Sequence, residues 1–215
     1  MKVHILAGGP NSLIPELKGN EENVVWIGVD RGVYELIQRG LQPSYAFGDF
    51  DSLSEAERQV LRSNSNVYTF PQEKDKTDLE LAVDWALDRQ PQSITLFGAT
   101  GGRLDHEWAN IRLLEKGVER KTDMEIIDRQ NTVTAHGPGR YVISENDRYP
   151  YVSFLPLNES ISGLTLQGFK YPLLEKDVKS GMTLTVSNEL IAETGTYSFT
   201  DGIVLVIRSH DSSSS

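Results

Sequence analysis

Four stretches of this chain place carboxylates or glycines directly after short apolar runs. Val24–Val29 leads into Asp30-Arg31-Gly32, and Tyr45–Phe47 into Gly48-Asp49-Phe50-Asp51-Ser52. Val67–Phe70 precedes the polar stretch Glu73-Lys74-Asp75-Lys76-Thr77-Asp78, and Ile94–Phe97 precedes Gly98-Ala99-Thr100-Gly101-Gly102-Arg103-Leu104-Asp105-His106. If the runs are strands of an open parallel sheet, their carboxyl ends line one edge, and ligands bind in the crevice there. Carboxylates crowded at one edge repel each other and call for a cation. Hard oxygen donors of this kind suit Mg²⁺, usually held by one or two carboxylates together with substrate phosphates. Glycine loops let backbone N–H groups reach phosphate oxygens, and the helix N-terminus that follows adds its dipole. Arg103 has the forked donor geometry for a phosphate.

Each piece also has a plainer role. Asp30 reads equally as an N-cap for the helix after it, and Thr77-x-x-Glu80 as a capping box. Asp49-Phe50-Asp51 alone is a common turn sequence, and His106 reads as a first-turn helix residue. Gly98–Gly102 is neither a Walker A loop nor a G-x-G-x-x-G fingerprint. Convergence of all of them on one sheet edge favours a site.

The elements that must position these residues follow from periodicity. Val3–Ala7, Val24–Val29, Val67–Phe70, Ile94–Phe97 and Met124–Asp128 read as strands. Arg31–Arg39, Leu53–Arg62 (with a Ser54-x-x-Glu57 capping box), Leu79–Leu87 and His106–Lys116 read as helices. Leu79, Ala82, Val83, Ala86 and Leu87 recur at i, i+3, i+4, i+7 and i+8, the pattern of one buried helical face. Alternating β and α predicts a Rossmann-like, mostly parallel α/β domain over residues 1–130. From Asn131 the texture changes. Tyr141–Ser144, Tyr151–Leu155, Leu164–Gln167, Thr183–Val186 and Ile203–Ile207 read as strands between Gly, Pro, Asn and Asp turns, and Leu173–Lys179 as a helical turn. Residues 131–215 are therefore expected to form an antiparallel β-sandwich.

Composition narrows the function classes. Lys and Arg total 21 against 31 Asp and Glu, a formal charge of −10, which argues against a nucleic-acid binder or a protein drawn to anionic lipid. Glu21, Glu22, Glu55 and Glu57 read as ordinary solvated charges. With no cysteine there is no disulfide framework, thiol nucleophile or thiolate metal site. The four histidines lack ligand spacing. The opening Met-Lys-Val-His-Ile-Leu-Ala-Gly-Gly-Pro is too short an apolar run for a signal peptide, so the expected location is the cytoplasm.

Taken in order, Gly48-Asp49-Phe50-Asp51-Ser52, Asp75-Lys76-Thr77-Asp78-Leu79-Glu80, Gly101-Gly102-Arg103-Leu104-Asp105-His106 and Ser187-Asn188-Glu189 resemble the thiamine pyrophosphokinase family along nearly the whole chain. The resemblance implies an α/β nucleotide domain followed by a β-sandwich that holds thiamine and forms a homodimer, with thiamine bound between subunits. It implies Mg²⁺ and polyphosphate at Asp49, Asp51 and Asp78, with Asp30 nearby. It implies ATP contacts from Asp30, Asp75, Thr77, Thr100, Gly101, Gly102 and His106, catalytic roles for Arg103 and Asp105, and thiamine contacts from Ser187 and Asn188. Animal members stack a second-domain tryptophan on thiamine. Here Trp26, Trp85 and Trp108 all lie in the first half, with Trp85 and Trp108 read as packing residues. Tyr171 is the first candidate for the stacking ring, followed by Tyr197 and Phe199.

The implied reaction transfers the terminal diphosphate of ATP to the hydroxyethyl oxygen of thiamine, leaving AMP. Arg103 steadies the transferring group, and Asp105 or Asp78 is placed to take the alcohol proton. Two alternatives stay open on the residues alone. A metal-dependent nucleotide-sugar transferase would use Asp49-Phe50-Asp51 without needing Ser187-Asn188. A non-catalytic sensor of a nucleotide or of thiamine diphosphate would keep the glycine loops without the acidic cluster.

Overall fold

Runs rich in Val, Ile and aromatic residues, closed by glycine or polar turns, form the strands. The computed structural model describes residues 1–19, 22–50, 54–63, 68–70 and 75–211, and the chain divides into two units, Met1–Arg129 and Gln130–Ser215. Glu21, Asp51, Ser52, Leu53, Val67, Glu73 and Lys74, which figure in the sequence reading, lie outside the described residues.

The first unit runs β1 (Lys2–Leu6), β2 (Val24–Val29), α1 (Arg31–Gln38), β3 (Tyr45–Phe47), α2 (Glu55–Ser63), β4 (Tyr68–Phe70), α3 (Asp78–Leu87), β5 (Ser93–Phe97), α4 (Leu104–Arg112), α5 (Leu114–Arg120) and β6 (Asp123–Ile127). The strands are parallel, in the order β4-β3-β2-β1-β5-β6. The chain thus builds outward from β1 to β4 and then returns to the far side of β1. That reversal opens a crevice between β1 and β5 at the carboxyl edge, the place where such sheets take ligands.

α3 buries all five apolar residues of the predicted stripe. Leu79, Val83 and Leu87 contribute about 1.5–3 kcal/mol each through that burial. The predicted single helix from His106 to Lys116 is instead two. Leu113 N bonds to Asn110 O at 3.1 Å and Lys116 N to Leu113 O at 3.1 Å, so the chain tightens between α4 and α5. Asp105 therefore sits inside the first turn of α4. Trp85 packs on Tyr45 at 4.1 Å between ring centroids, as a packing residue should. Trp108 does not, being 54% exposed on a helix with no buried residue.

The second unit runs β7 (Asn131–His136), β8 (Gly139–Ser144), β9 (Tyr151–Pro156), β10 (Ser160–Gln167), β11 (Leu173–Lys179), β12 (Asn188–Glu189), β13 (Thr194–Phe199) and β14 (Val204–Ser209). Within it, β12-β9-β14-β7 pair antiparallel and β11-β10-β13-β8 form a second antiparallel sheet. Val152, Phe154, Val204 and Val206 from the first group share one core with Ile161, Leu164, Leu166, Val178, Tyr197 and Phe199 from the second. The chain is therefore an α/β unit followed by an all-β unit. Tyr197 and Phe199 are 3% and 4% exposed, which removes both from the candidates for a stacking ring.

Two local readings are overturned. Leu173–Lys179 is a strand at the edge of its sheet, with only Val178 buried. Its charges mimic a helical surface but serve as an edge that resists further pairing. Thr183–Val186 is a turn. Val186 N bonds to Thr183 O at 3.2 Å, and the buried Thr185 hydroxyl donates to Phe154 O, anchoring the turn to β9. Among the described residues no helix is long and apolar enough to cross a membrane.

Candidate active site

The crevice between β1 and β5 opens into a cleft of about 630 Å³ at the carboxyl edge of the first unit. Gly8 and Gly9 after β1, Asp30 and Arg31 after β2, Lys76–Leu79 at the start of α3, and Gly98–Thr100, Gly102 and Arg103 after β5 line it. His106 and Asn110 of α4 complete the wall. Gly9 lies so close to Gly98 that a Cβ there would strike the Gly98 carbonyl, so the crevice floor has room for backbone alone.

Asp30 occupies the N-cap position of α1, yet its side chain makes no capping bond. The capping role offered by sequence fails. Its backbone instead adopts φ 50°, ψ −123°, uncommon for a residue with a Cβ. Asp30 N donates to Phe47 O at 2.9 Å, tying it to the loop that carries Asp49. Gly48 has φ 127°, and a Cβ there would collide with the Asp30 carboxylate. Glycine at that position is what lets the Asp49 loop lie against Asp30.

The third carboxylate comes from α3. Thr77 caps the helix, its hydroxyl oxygen accepting from Glu80 N at 3.2 Å, the threonine half of the predicted capping box, while the Glu80 carboxylate takes Lys116. Asp78, in the first turn, is buried, and its Oδ1 has no hydrogen-bond partner among the described residues. Burial, then Asp49, pushes the Asp78 pKa up. Burial, then Asp78, then Asp49 push Asp30 up to about 6. The three carboxylates therefore bear on one another, with Asp49 exposed beside the two more sheltered ones.

A buried oxygen without a partner, in a set of mutually repelling carboxylates, is a donor set short of positive charge. Mg²⁺ fits it. Among the described residues no group of three His, Cys, Asp or Glu closes to metal-binding distance, and Asp51 falls outside them.

Asp30 yields a pH-dependent prediction. Its folded pKa lies above the ordinary value of 3.8, so the contribution of Asp30 to stability is fullest below pH 4 and is lost as pH rises through 6. Asp30→Asn removes that loss, and Asn tolerates positive φ. With solvent screening at this half-buried position the gain is about 1 kcal/mol, some 2–4 °C in melting temperature. Melting curves without divalent cation should show the variant above the parent at pH 7.5 and level with it at pH 4. A gain independent of pH would place the effect in the backbone.

Other predicted residues fall into two groups. Thr77, Thr100, Gly102, Arg103 and His106 line the cleft, while Asp75, Gly101 and Asp105 do not. The Thr100 hydroxyl donates to the buried Asp128 at 2.7 Å, so that residue offers the cleft mainly its backbone. Gly101 N donates to Glu107 Oε2 at 2.9 Å. Arg103 forks onto Asp105 at 3.2 and 2.6 Å, and both are well exposed. That pairing holds the Asp105 carboxyl below its ordinary range, unsuited to accept a proton.

In the second unit the Asn188 amide makes three hydrogen bonds. Its Oδ1 accepts from Tyr171 N at 3.0 Å and from Glu189 N at 3.0 Å, and its Nδ2 donates to Tyr171 O at 2.9 Å. Asn188 is 2% exposed and shapes the Tyr171 loop, whereas Tyr171 itself is 58% exposed. Ser187 is exposed at φ 55°.

Sequence reasoning missed Gly8, Gly9, Arg31, Lys76, Asn110, Asp128 and Glu57. Gly-Gly directly after the first strand was a visible signal. Glu57 is no free surface charge: its Oε2 accepts from Ser54 N and Oγ, each at 2.8 Å, and its Oε1 pairs with Arg31 at 3.2 Å. One carboxylate thus joins the start of α2 to the cleft wall. Lys76 is held by Asp84 at 2.9 Å, which also takes Lys116 at 2.7 Å.

A parallel α/β unit with a glycine-floored cleft beside three aspartates, followed by an antiparallel β unit, defines a two-unit α/β-plus-β protein with that cleft as its candidate site. The sequence profile described as thiamin pyrophosphokinase, catalytic domain, matches residues 18–127, and that of the thiamin pyrophosphokinase vitamin B1 binding domain matches residues 140–204. The chain belongs to the thiamine pyrophosphokinase family. It is 48% identical to the thiamine pyrophosphokinase of Bacillus subtilis over 211 residues, 97% of this chain and 99% of that protein. The crystal structure of a Bacillus subtilis thiamine pyrophosphokinase superposes with a TM-score of 0.95 at 47% identity, covering 99% of this chain and 100% of that one. That of the Geobacillus thermodenitrificans thiamin pyrophosphokinase gives 0.91 at 48% identity, covering 99% of each chain.

Proposed function

We propose that this chain transfers the terminal diphosphate of ATP to the hydroxyl of thiamine, giving thiamine diphosphate and AMP. The observation that carries the reading is the meeting of Asp30, Asp49 and Asp78 beside a glycine-floored switch-point cleft, in a chain of this family. The first unit is read as Rossmann-like, with ATP lying along its carboxyl edge. The working form is a homodimer in the cytoplasm, in which second-unit residues complete the neighbouring chain's site.

Asp49 and Asp78, with Asp51, would hold Mg²⁺. Bound there, the ion would neutralise phosphate charge as the α–β bridge oxygen departs. The chain's own groups then act by position and charge, which phosphoryl transfer mainly requires. The thiamine hydroxyl oxygen forms a bond to the β-phosphorus as the bond to the bridge oxygen breaks, and AMP leaves with that oxygen. Arg103 exchanges Asp105 for the transferring group, and Lys76 adds positive charge at the same mouth. Of the two carboxylates considered for the alcohol proton, Asp78 is the better placed, because it lines the cleft and Asp105 does not. Tyr171 presents an exposed ring for the thiamine heterocycles, on a loop whose shape Asn188 fixes.

Incubation with ATP, Mg²⁺ and thiamine should release AMP in step with thiamine diphosphate. ADP in place of AMP would indicate an ordinary kinase, and no turnover with retained nucleotide binding would indicate a sensor. Either outcome overturns the reading.

A further inference from the structure

We infer that Asn110 selects the nucleobase, accepting a hydrogen bond from the exocyclic amino group of adenine and disfavouring a base with an oxo group there. The inference rests on the ATP reading above and names the group at that site that reads the base. Asn110 lines the cleft from the second turn of α4, and its Nδ2 donates to Ala99 O at 2.8 Å. A backbone carbonyl only accepts, so the amide has one possible orientation against it. Its Oδ1 is left as an acceptor, with no hydrogen bond to the described residues.

The order of strands places that acceptor at the nucleoside end. Along the carboxyl edge the loops come in the order β3 (Asp49), β2 (Asp30), β1 (Gly8, Gly9) and β5 (Gly98–Arg103), after which α4 brings Asn110. Three strand spacings separate β3 from β5, about 14 Å. The carboxylates sit at the β3–β2 end, where a metal–polyphosphate belongs. A nucleotide with its phosphates there extends across the glycine floor toward α4. The backbone-only floor at Gly9 and Gly98 lets a flat ring approach, and Asn110 stands at the side of that path. An acceptor there pairs with an amino group and leaves an oxo group facing another oxygen, which costs more than the lost bond.

The probes are ATP and ITP, which differ by amino against oxo at C6 of the purine and, beside it, by an N1 that accepts in ATP and carries a proton in ITP. In the parent protein, kcat/KM from AMP or IMP release should favour ATP by about tenfold, one neutral hydrogen bond together with the mismatch of two facing oxygens. Asn110→Ala, a good helix former on an exposed helix, should bring the two within about twofold, mainly by weakening ATP. Equilibrium titration of ATP and ITP without thiamine supplies the same comparison independently of turnover. Absence of a preference in the parent, or a preference that survives in Asn110→Ala, overturns the inference. So does an equal loss for both nucleotides, since that would assign Asn110 to the ribose or to helix packing. If the parent releases neither AMP nor IMP but titrates with a preference for ATP that Asn110→Ala abolishes, the inference stands and the diphosphate-transfer reading fails.

Discussion

Replacing Asp78 by Asn should cost about a hundredfold to a thousandfold in turnover while leaving the protein folded and, without divalent cation, more stable. The activity loss is of the size seen when one preorganised electrostatic group is removed from a transition state. The stability gain follows from the direction of the pKa shift. A carboxylate in the first turn of a helix gains about 0.3–1 kcal/mol from the dipole. For Asp78 that benefit is outweighed, because burial and Asp49 together push its pKa up. The ionised form is therefore the strained one, and its cost appears as pH rises above the ordinary carboxylate range. Asn keeps the shape without the charge. Melting curves at neutral pH, with and without Mg²⁺, alongside AMP release measure both halves. Mg²⁺ should raise the melting temperature of the parent more than that of the variant, and near-normal turnover in Asp78→Asn would remove this residue from the machinery.

The second large effect belongs to Arg103. Its guanidinium is exposed and doubly bonded to Asp105, an arrangement of little value to the fold. Arg103→Gln should therefore shift stability by no more than about 0.5 kcal/mol. Its kcat/KM should nonetheless fall by about a hundredfold, because a charge-assisted fork on the transferring phosphates is lost. Arg103→Lys should recover only a small part, since an ammonium is a point charge without the planar fork. Steady-state kinetics with AMP as the readout decide it. A fall of less than about threefold in the glutamine variant would place Arg103 outside the phosphate path.

The acidic side of the cleft was legible in the sequence because its residues stand directly after apolar runs. Asp30 and Asp49 needed only the recognition of a strand and the rule that parallel strands end at one edge. Asp78 needed only the capping box before the α3 stripe. Asn110 and Asp128 lacked any such signal. Their roles depend on bonds to Ala99 and Thr100, 11 and 28 residues away, and so on which elements become neighbours. Glu57 misled for the same reason: its capping box was readable, but its bond to Arg31 crosses from one helix to another. In the second unit, Leu173–Lys179 hid because an edge strand with one buried residue carries no usable alternation. Asn188 was found by its motif, and the structure adds a role the motif did not show, the shaping of the Tyr171 loop.

The two walls of the cleft are built differently. The carboxylate side stands on β2, β3 and the buried stripe of α3. The opposite wall is α4, which buries none of its residues. What fastens it are the bonds from Asn110 to Ala99 O and from Gly101 N to Glu107, and the buried Leu113 and Leu114 that follow its last turn. A segment with so few apolar contacts belongs to the part of a fold that opens at low free-energy cost. One jaw is thus fixed in advance and highly charged, and the other is compliant and shallowly rooted. Phosphates meet a surface that does not yield to them, while the base meets one that can settle around it and lift away when the spent nucleotide departs.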